Sequence, residues 1–194
     1  MPRKAARSPE TDPLKGRRIV VGVSGGIAAY KAADLVSKLR QRGASVTVVM
    51  TQAAQEFVTP LTFESLADSR VITDLFSDRS PYVMGHIALS DWAEVVVIAP
   101  ATANVIGKIA AGIADDALTT VVISAKCPIL LAPAMNDAMF TNRVVQANLK
   151  RLESLGYKII GPAKGWLACG KIGEGRMVEV PAILEAIEKT LPGS

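Results

Sequence analysis

The sequence predicts an α/β protein: a parallel sheet covered by helices on both faces, in three layers. Three observations carry that prediction. Short, continuous apolar runs at 19–23, 46–50, 95–99 and 128–132 read as strands buried on both sides. Segments of helical period separate them, the alternation that builds parallel sheets. The unusual polar motifs follow those runs, at 24–27, 51–54, 100–104, 133–136 and 161–176. Sheets of this kind hold ligands there, beyond the carboxyl ends of their strands.

Each element has a local reason. The run 19–23 is short and β-branched. Over 28–40, Ala32, Leu35, Val36 and Leu39 recur at spacings of three and four, which predicts a helix capped by Gly43. After the second strand, 46–50, comes a less regular, partly helical stretch with Pro60 before 61–66. The run 95–99 is a strong buried strand, 104–111 and 117–125 predict helices, and 128–132 is the next strand. A helix over 144–155 ends at Gly156, 158–160 is a short strand, and 180–191 is a closing helix whose first turn tolerates Pro181. The expected whole is a Rossmann-like (flavodoxin-like) domain.

Bulk properties narrow the class. At 194 residues the chain fills one well-buried domain. With 49% hydrophobic residues but only 5% aromatic, its core is expected to be aliphatic and rich in Ala. The net charge of +4 is local: residues 1–18 hold six basic residues against two acidic, and the remainder balances at sixteen of each. This predicts a basic, disordered tail over 1–17 and a single near-neutral domain over 18–194. No basic stripe with interleaved aromatics points to a nucleic-acid partner. No apolar run is long enough to span a bilayer, since 95–114 is broken by Asn104 and Lys108. The N-terminus lacks the apolar stretch of a signal peptide, so a cytoplasmic location without a membrane partner is expected. The two cysteines, Cys127 and Cys169, match no zinc spacing, and His86 is the only histidine, so no metal site is expected. Cys127, before a Pro at a strand start, reads as an apolar filler.

The segment Gly22-Val23-Ser24-Gly25-Gly26-Ile27 approaches the dinucleotide fingerprint and departs from it. That fingerprint needs Gly-x-Gly-x-x-Gly and an acid about twenty residues on. Here Ser24 takes the second Gly position and the second strand ends at Thr51, which disfavours an NAD-dependent dehydrogenase. A Ser hydroxyl, glycine N–H groups and a helix N-terminus can hold one phosphate, as in a mononucleotide such as FMN. The same residues also suit a plain strand-to-helix turn. In Pro100-Ala101-Thr102-Ala103-Asn104, small residues let a ligand approach, while Thr102 and Asn104 can bond it or cap the next helix. Asn136, beside Met135, offers both a donor and an acceptor to a substrate amide or carboxylate, or caps a helix. His86, just before a helix-like stretch, is the one side chain that titrates near neutrality unperturbed. Four glycines over 165–177 predict a mobile flap carrying Cys169 as a proton donor and Arg176 as a carboxylate or phosphate ligand. An ordinary Gly-rich surface loop accounts for them equally.

Together these positions resemble the homo-oligomeric flavin-containing cysteine decarboxylases. The resemblance runs from about residue 18 to 191 over five motifs in order. These are 22–31, the His86 segment, 100–104 with Ala110-Ala111-Gly112-Ile113-Ala114-Asp115-Asp116, 133–140, and 168–177. It implies that FMN is bound by Gly22, Ser24, Gly25, Thr51, Ala101, Thr102, Ala103 and Asn104. It implies His86 as the active-site base and Cys169 as the proton donor on the flap. Asn136 would bind the substrate carboxylate, with Met135 and Arg176 also contacting substrate. The family pattern Pro-x-Met-Asn-x-x-Met-Trp ends here in Phe140, which keeps aromatic packing and loses any indole N–H contact. The implied activity is decarboxylation of 4′-phosphopantothenoylcysteine to 4′-phosphopantetheine in coenzyme A biosynthesis. The implied assembly is a homo-oligomer, a trimer or a higher assembly of trimers, with FMN at the subunit interface. Many bacteria fuse a synthetase domain after this part, so a separate phosphopantothenate–cysteine ligase is an expected partner.

The chemistry accounts for such parts. A cysteinyl carboxylate has no electron sink until its thiol is oxidised to a thioaldehyde, which FMN can do. Loss of carbon dioxide then gives an enethiol, and return of the hydride with a proton from Cys169 gives a saturated thiol. Three relatives remain as alternatives. An FMN-binding regulator without turnover would keep Ser24 and 100–104 but could lack His86, Asn136 or Cys169. A flavin prenyltransferase needs neither this His nor the Ala-Cys-Gly flap. A peptidyl-cysteine decarboxylase would need a peptide-binding flap.

Overall fold

A computed structural model describes residues 12–75 and 85–191. The chain runs β1 (Arg18–Val23), α1 (Ala29–Gln41), β2 (Ser45–Met50), α2 (Gln52–Gln55), α3 (Pro60–Ala67), α4 (Gly85–Trp92), β3 (Val95–Ala101) and α5 (Ala103–Ala111). It continues through α6 (Ala117–Ser124), β4 (Ile129–Pro133), α7 (Asp137–Phe140), α8 (Arg143–Ser154), β5 (Lys158–Ile159), β6 (Ala163–Trp166), β7 (Ile172–Arg176) and α9 (Val180–Glu188). Five strands form one parallel sheet in the order β2-β1-β3-β4-β5. This is the flavodoxin-like order, in which β1 and β3 flank the point where the winding reverses.

β3 and β4 are buried along their whole length, and β1 after Arg18, because both faces are covered. Successive side chains point to opposite sides. Val21, Val48 and Val97 therefore join Leu35 of α1, Phe63 of α3 and Ile183 of α9 in one core. Val20, Val96 and Leu131 join Leu89 of α4, Ile106 of α5, Leu118 of α6 and Leu152 of α8 in the other. Gly22 is a packing position: a Cβ there would stand 2.5 Å from Leu118 Cδ1, so any side chain would displace the Leu118 side chain of α6. Phe140 is partly buried against the second core.

Differences from the sequence expectations are informative. The domain takes in residues 12–17, before the boundary expected at 18. Leu14 is fully buried, Asp12 receives the Arg42 guanidinium at 2.7 Å, and Arg17 pairs with Glu94 at 3.0 Å. One apolar residue and an acid in a basic stretch suffice to dock it; the rest of the expected tail, 1–11, lies outside the described residues. The helix near His86 begins before it, at Gly85. The glycine-rich 165–177 segment, expected as a mobile flap, forms most of an antiparallel hairpin, β6–β7. Two of its glycines serve close approach. A Cβ on Gly175 (φ +123°) would lie 2.3 Å from Met135 O, and one on Gly173 would lie 2.9 Å from Asp137 Cβ.

Candidate active site

At the winding reversal, Ser24 joins the ends of β1 and β3. Its hydroxyl donates to Pro100 O at 2.7 Å and accepts from Thr102 N at 3.0 Å. Ser24 is fully buried, so the hydroxyl acts as a rivet between two strands. Above it lies a cavity of about 1170 Å³. Its walls come from the carboxyl ends of the strands: Gly25 and Gly26 after β1, Thr51 after β2, and Thr102, Ala103 and Asn104 after β3. Met135 and Asn136 follow β4, and the hairpin adds Cys169 and Arg176. Three expected contacts, Gly22, Ser24 and Ala101, lie in the layer beneath and do not line the cavity. His86 sits in the first turn of α4; its side chain lies outside the described residues.

Several of these side chains also cap helices. Thr51 Oγ1 accepts from Ala54 N at 3.3 Å, and Thr102 Oγ1 accepts from Val105 N at 3.4 Å. Asn136 Oδ1 accepts from Ala138 N at 2.9 Å. The cap fixes the Asn136 amide, so its NH₂ end turns toward the hairpin and donates to Cys169 Sγ at 3.4 Å. By contrast α1 starts without a side-chain cap and without an acid in its first turn. Ala29 N and Lys31 N donate to Gly26 O and Ala28 O, both at 2.9 Å, so no side-chain oxygen or carboxylate competes with an anion for the dipole of this helix.

Charged residues beyond the expected contacts also line the cavity. Lys31 is buried, and its Nζ donates to Met177 O at 3.3 Å and Glu179 Oε1 at 3.0 Å. The Lys31 ammonium in turn holds the Glu179 carboxyl below its ordinary value. Glu179 also receives the Arg176 guanidinium. The available signal was a cation on the apolar stripe of α1, four residues before Leu35. At another wall, Lys108 pairs with Asp115 at 2.7 Å and with Asp116 at 3.2 Å, and the Asp115 contact raises the Lys108 ammonium above its ordinary range.

A model of the Flavoprotein family matches residues 7–192. The chain belongs to the flavoprotein family. This flavoprotein domain is 49% identical over 176 residues to the coenzyme A biosynthesis bifunctional protein CoaBC of Bacillus subtilis (strain 168). That match takes in 91% of this chain and 43% of the relative, so the chain spans less than half the relative's length. Among solved structures, it is similar to a Cys-to-Ser variant of a PPC decarboxylase complexed with pantothenoylaminoethenethiol. There the TM-score is 0.81 at 32% identity, covering 90% of this chain and 98% of that one. The FMN-dependent cysteine decarboxylase SpaF gives a TM-score of 0.79 at 34% identity, covering 91% and 96%.

Proposed function

We propose that this flavoprotein decarboxylates 4′-phosphopantothenoylcysteine to 4′-phosphopantetheine with FMN as cofactor, a step of coenzyme A biosynthesis. The observation that carries this reading is the 3.4 Å contact of Asn136 Nδ2 with Cys169 Sγ at the cavity wall. A carboxylate donor and a thiol, supplied by separate elements, meet there beside a space large enough for cofactor and substrate.

The residues fit FMN. The uncapped start of α1 suits its phosphate, and Gly25, Gly26, Ala103 and Ala134 leave the cavity wall open to a planar ring. When bound, FMN supplies a two-electron acceptor for the carbon bearing the substrate thiol, and a donor for it after carbon dioxide has left. His86 takes the thiol proton at the outset, a role assigned from its motif. Asn136 presents only its donor end, because its oxygen is used as a helix cap, and so selects a carboxylate over an amide N–H. Cys169 gives its proton to the carbon from which carbon dioxide departed. Arg176 has guanidinium N–H groups beyond the one held by Glu179 and offers them to the substrate phosphate.

Large apolar side chains stand exposed at the cavity, including Ile27, Tyr30 and Trp166. We infer that a homo-oligomer, a trimer or an assembly of trimers, covers them. The relatives' bifunctional name supports a phosphopantothenate–cysteine ligase as a further partner. No described helix is long and apolar enough to cross a membrane; the proposed place of the enzyme in coenzyme A biosynthesis is the ground for a cytoplasmic location.

The test is mass spectrometry of the FMN-loaded protein incubated with 4′-phosphopantothenoylcysteine. Appearance of 4′-phosphopantetheine is expected; unchanged substrate with flavin firmly bound would overturn the reading. Mass measured on the same sample in solution should be a multiple of three 20.5 kDa chains.

A further inference from the structure

The hairpin tip is held to the Asn136 loop by a second contact. Lys171 Nζ pairs with Asp137 Oδ2 at 3.0 Å. Asp137 directly follows Asn136, and Lys171 lies two residues after Cys169. The turn that carries Cys169 is closed by Leu167 N donating to Lys171 O at 2.8 Å and by Gly170 N donating to Leu167 O at 3.0 Å. The backbone of Lys171 thus shapes the turn while its side chain anchors it. Beneath the ion pair, Gly173 packs so closely on Asp137 that a Cβ would come within 2.9 Å of the Asp137 Cβ. On the strand below, Met135 N donates to Gly175 O at 2.9 Å.

We propose that Asp137 and Lys171 are a positioning pair, which keeps the Cys169 thiol on the Asn136 amide and thereby aims its proton at the substrate carbon. The proposal rests on the decarboxylase reading above. Neither residue lines the cavity. The backbone docking at Gly175 holds the base of the hairpin, but the described contacts at its tip are the Asn136–Cys169 bond and this ion pair. A thiol at 3.4 Å is a weak acceptor, so the ion pair is the stronger of the two. Its oppositely charged partners are exposed enough to be screened by salt.

Loss of the pair should leave oxidation and loss of carbon dioxide in place and make the final protonation less reliable. The enzyme would then release more enethiol in place of saturated thiol. The experiment compares FMN-loaded wild type, Lys171→Gln, Asp137→Asn and the double variant in two readouts. One is the enethiol-to-phosphopantetheine ratio, with thiols trapped by alkylation. The other is amide hydrogen exchange over 163–176.

Each single change should raise the enethiol ratio by about two- to fivefold, the range a surface ion pair commands, and speed exchange at the tip. The double variant should be no worse than either single, because both remove the same interaction. Salt of about 1 M, where the screening length is about 3 Å, should move the wild-type ratio toward that of Lys171→Gln and leave the latter where it was. Unchanged ratio and exchange in the single variants, or additive effects in the double, would overturn the pairing. If wild type releases no carbon dioxide, the functional reading fails, and hydrogen exchange alone decides whether the pair holds the tip.

Discussion

Ser24 and Asn136 each serve two ends with one side chain. Ser24 closes β1 onto β3, and replacing it with Ala would leave Thr102 N without this partner and take from Pro100 O its 2.7 Å bond, leaving it only the 3.4 Å bond from the residue 24 amide. The expected loss is about 1–3 kcal/mol of stability, read as a lower denaturation midpoint. Asn136 caps α7 with its oxygen and addresses Cys169 with its nitrogen. The sequence left a choice between cap and ligand at Thr102 and Asn136. In the fold both residues cap helices and line the cavity, since a cap at a strand's carboxyl end also stands at the cavity wall. At Ser24 the glycine-like spacing suggests a phosphate contact, while the bonds of its hydroxyl to Pro100 O and Thr102 N come from a neighbouring strand that only the sheet order supplies. Cys169→Ser should oxidise and decarboxylate but accumulate the enethiol, as mass spectrometry would reveal; normal saturated product from that variant would remove Cys169 from the proton path.

At the scale of elements, periodicity made the helices and buried strands legible to within a few residues. The closing helix, for example, ends at Glu188 and not at 191. The hairpin was not legible as strands. Glycine at 165, 170, 173 and 175 erases the alternation that identifies a strand; at 173 and 175 glycine avoids a collision with the Met135–Asp137 segment, and at 170 it supplies a positive φ in the turn. Gly175→Ala should therefore cost about 1–3 kcal/mol through its positive φ, with added displacement of the Met135 loop. A lower denaturation midpoint with faster exchange over 163–176 would register it.

Just before β3, Glu94 ties the chain start to the sheet through Arg17 Nη1 and Arg18 N, at 3.0 and 2.9 Å. Burial pushes its carboxyl up, but the Arg18 amide and the Arg17 guanidinium outweigh it, and the net shift is below the ordinary 4.5. A lowered folded-state value means stability that is fully present above 4.5 and lost as the pH falls through the folded value. The stability difference between wild type and Glu94→Gln should thus be constant near neutrality and shrink on acidification below that point, in denaturation series at several pH values.

For the whole molecule, alternation of buried strands and helices announced the layers, and placement of the polar motifs after strands announced where the cavity would lie. Strand order, and with it the pairing of Ser24 with Thr102, depends on contacts that no local pattern encodes. The tail boundary was misplaced for the same reason, because the pocket that takes Leu14 is made by distant residues.

The bare start of α1 has a further consequence, through mass action. A ligand that binds only the folded state adds RT ln(1 + [L]/Kd) to stability, about 2.7 kcal/mol at a hundredfold excess over Kd. Melting temperature should then climb with the logarithm of FMN concentration and show no plateau at stoichiometry. Riboflavin, the same ring system without the phosphate, should give a visibly shallower climb, because the attraction of the phosphate to the α1 dipole would be lost.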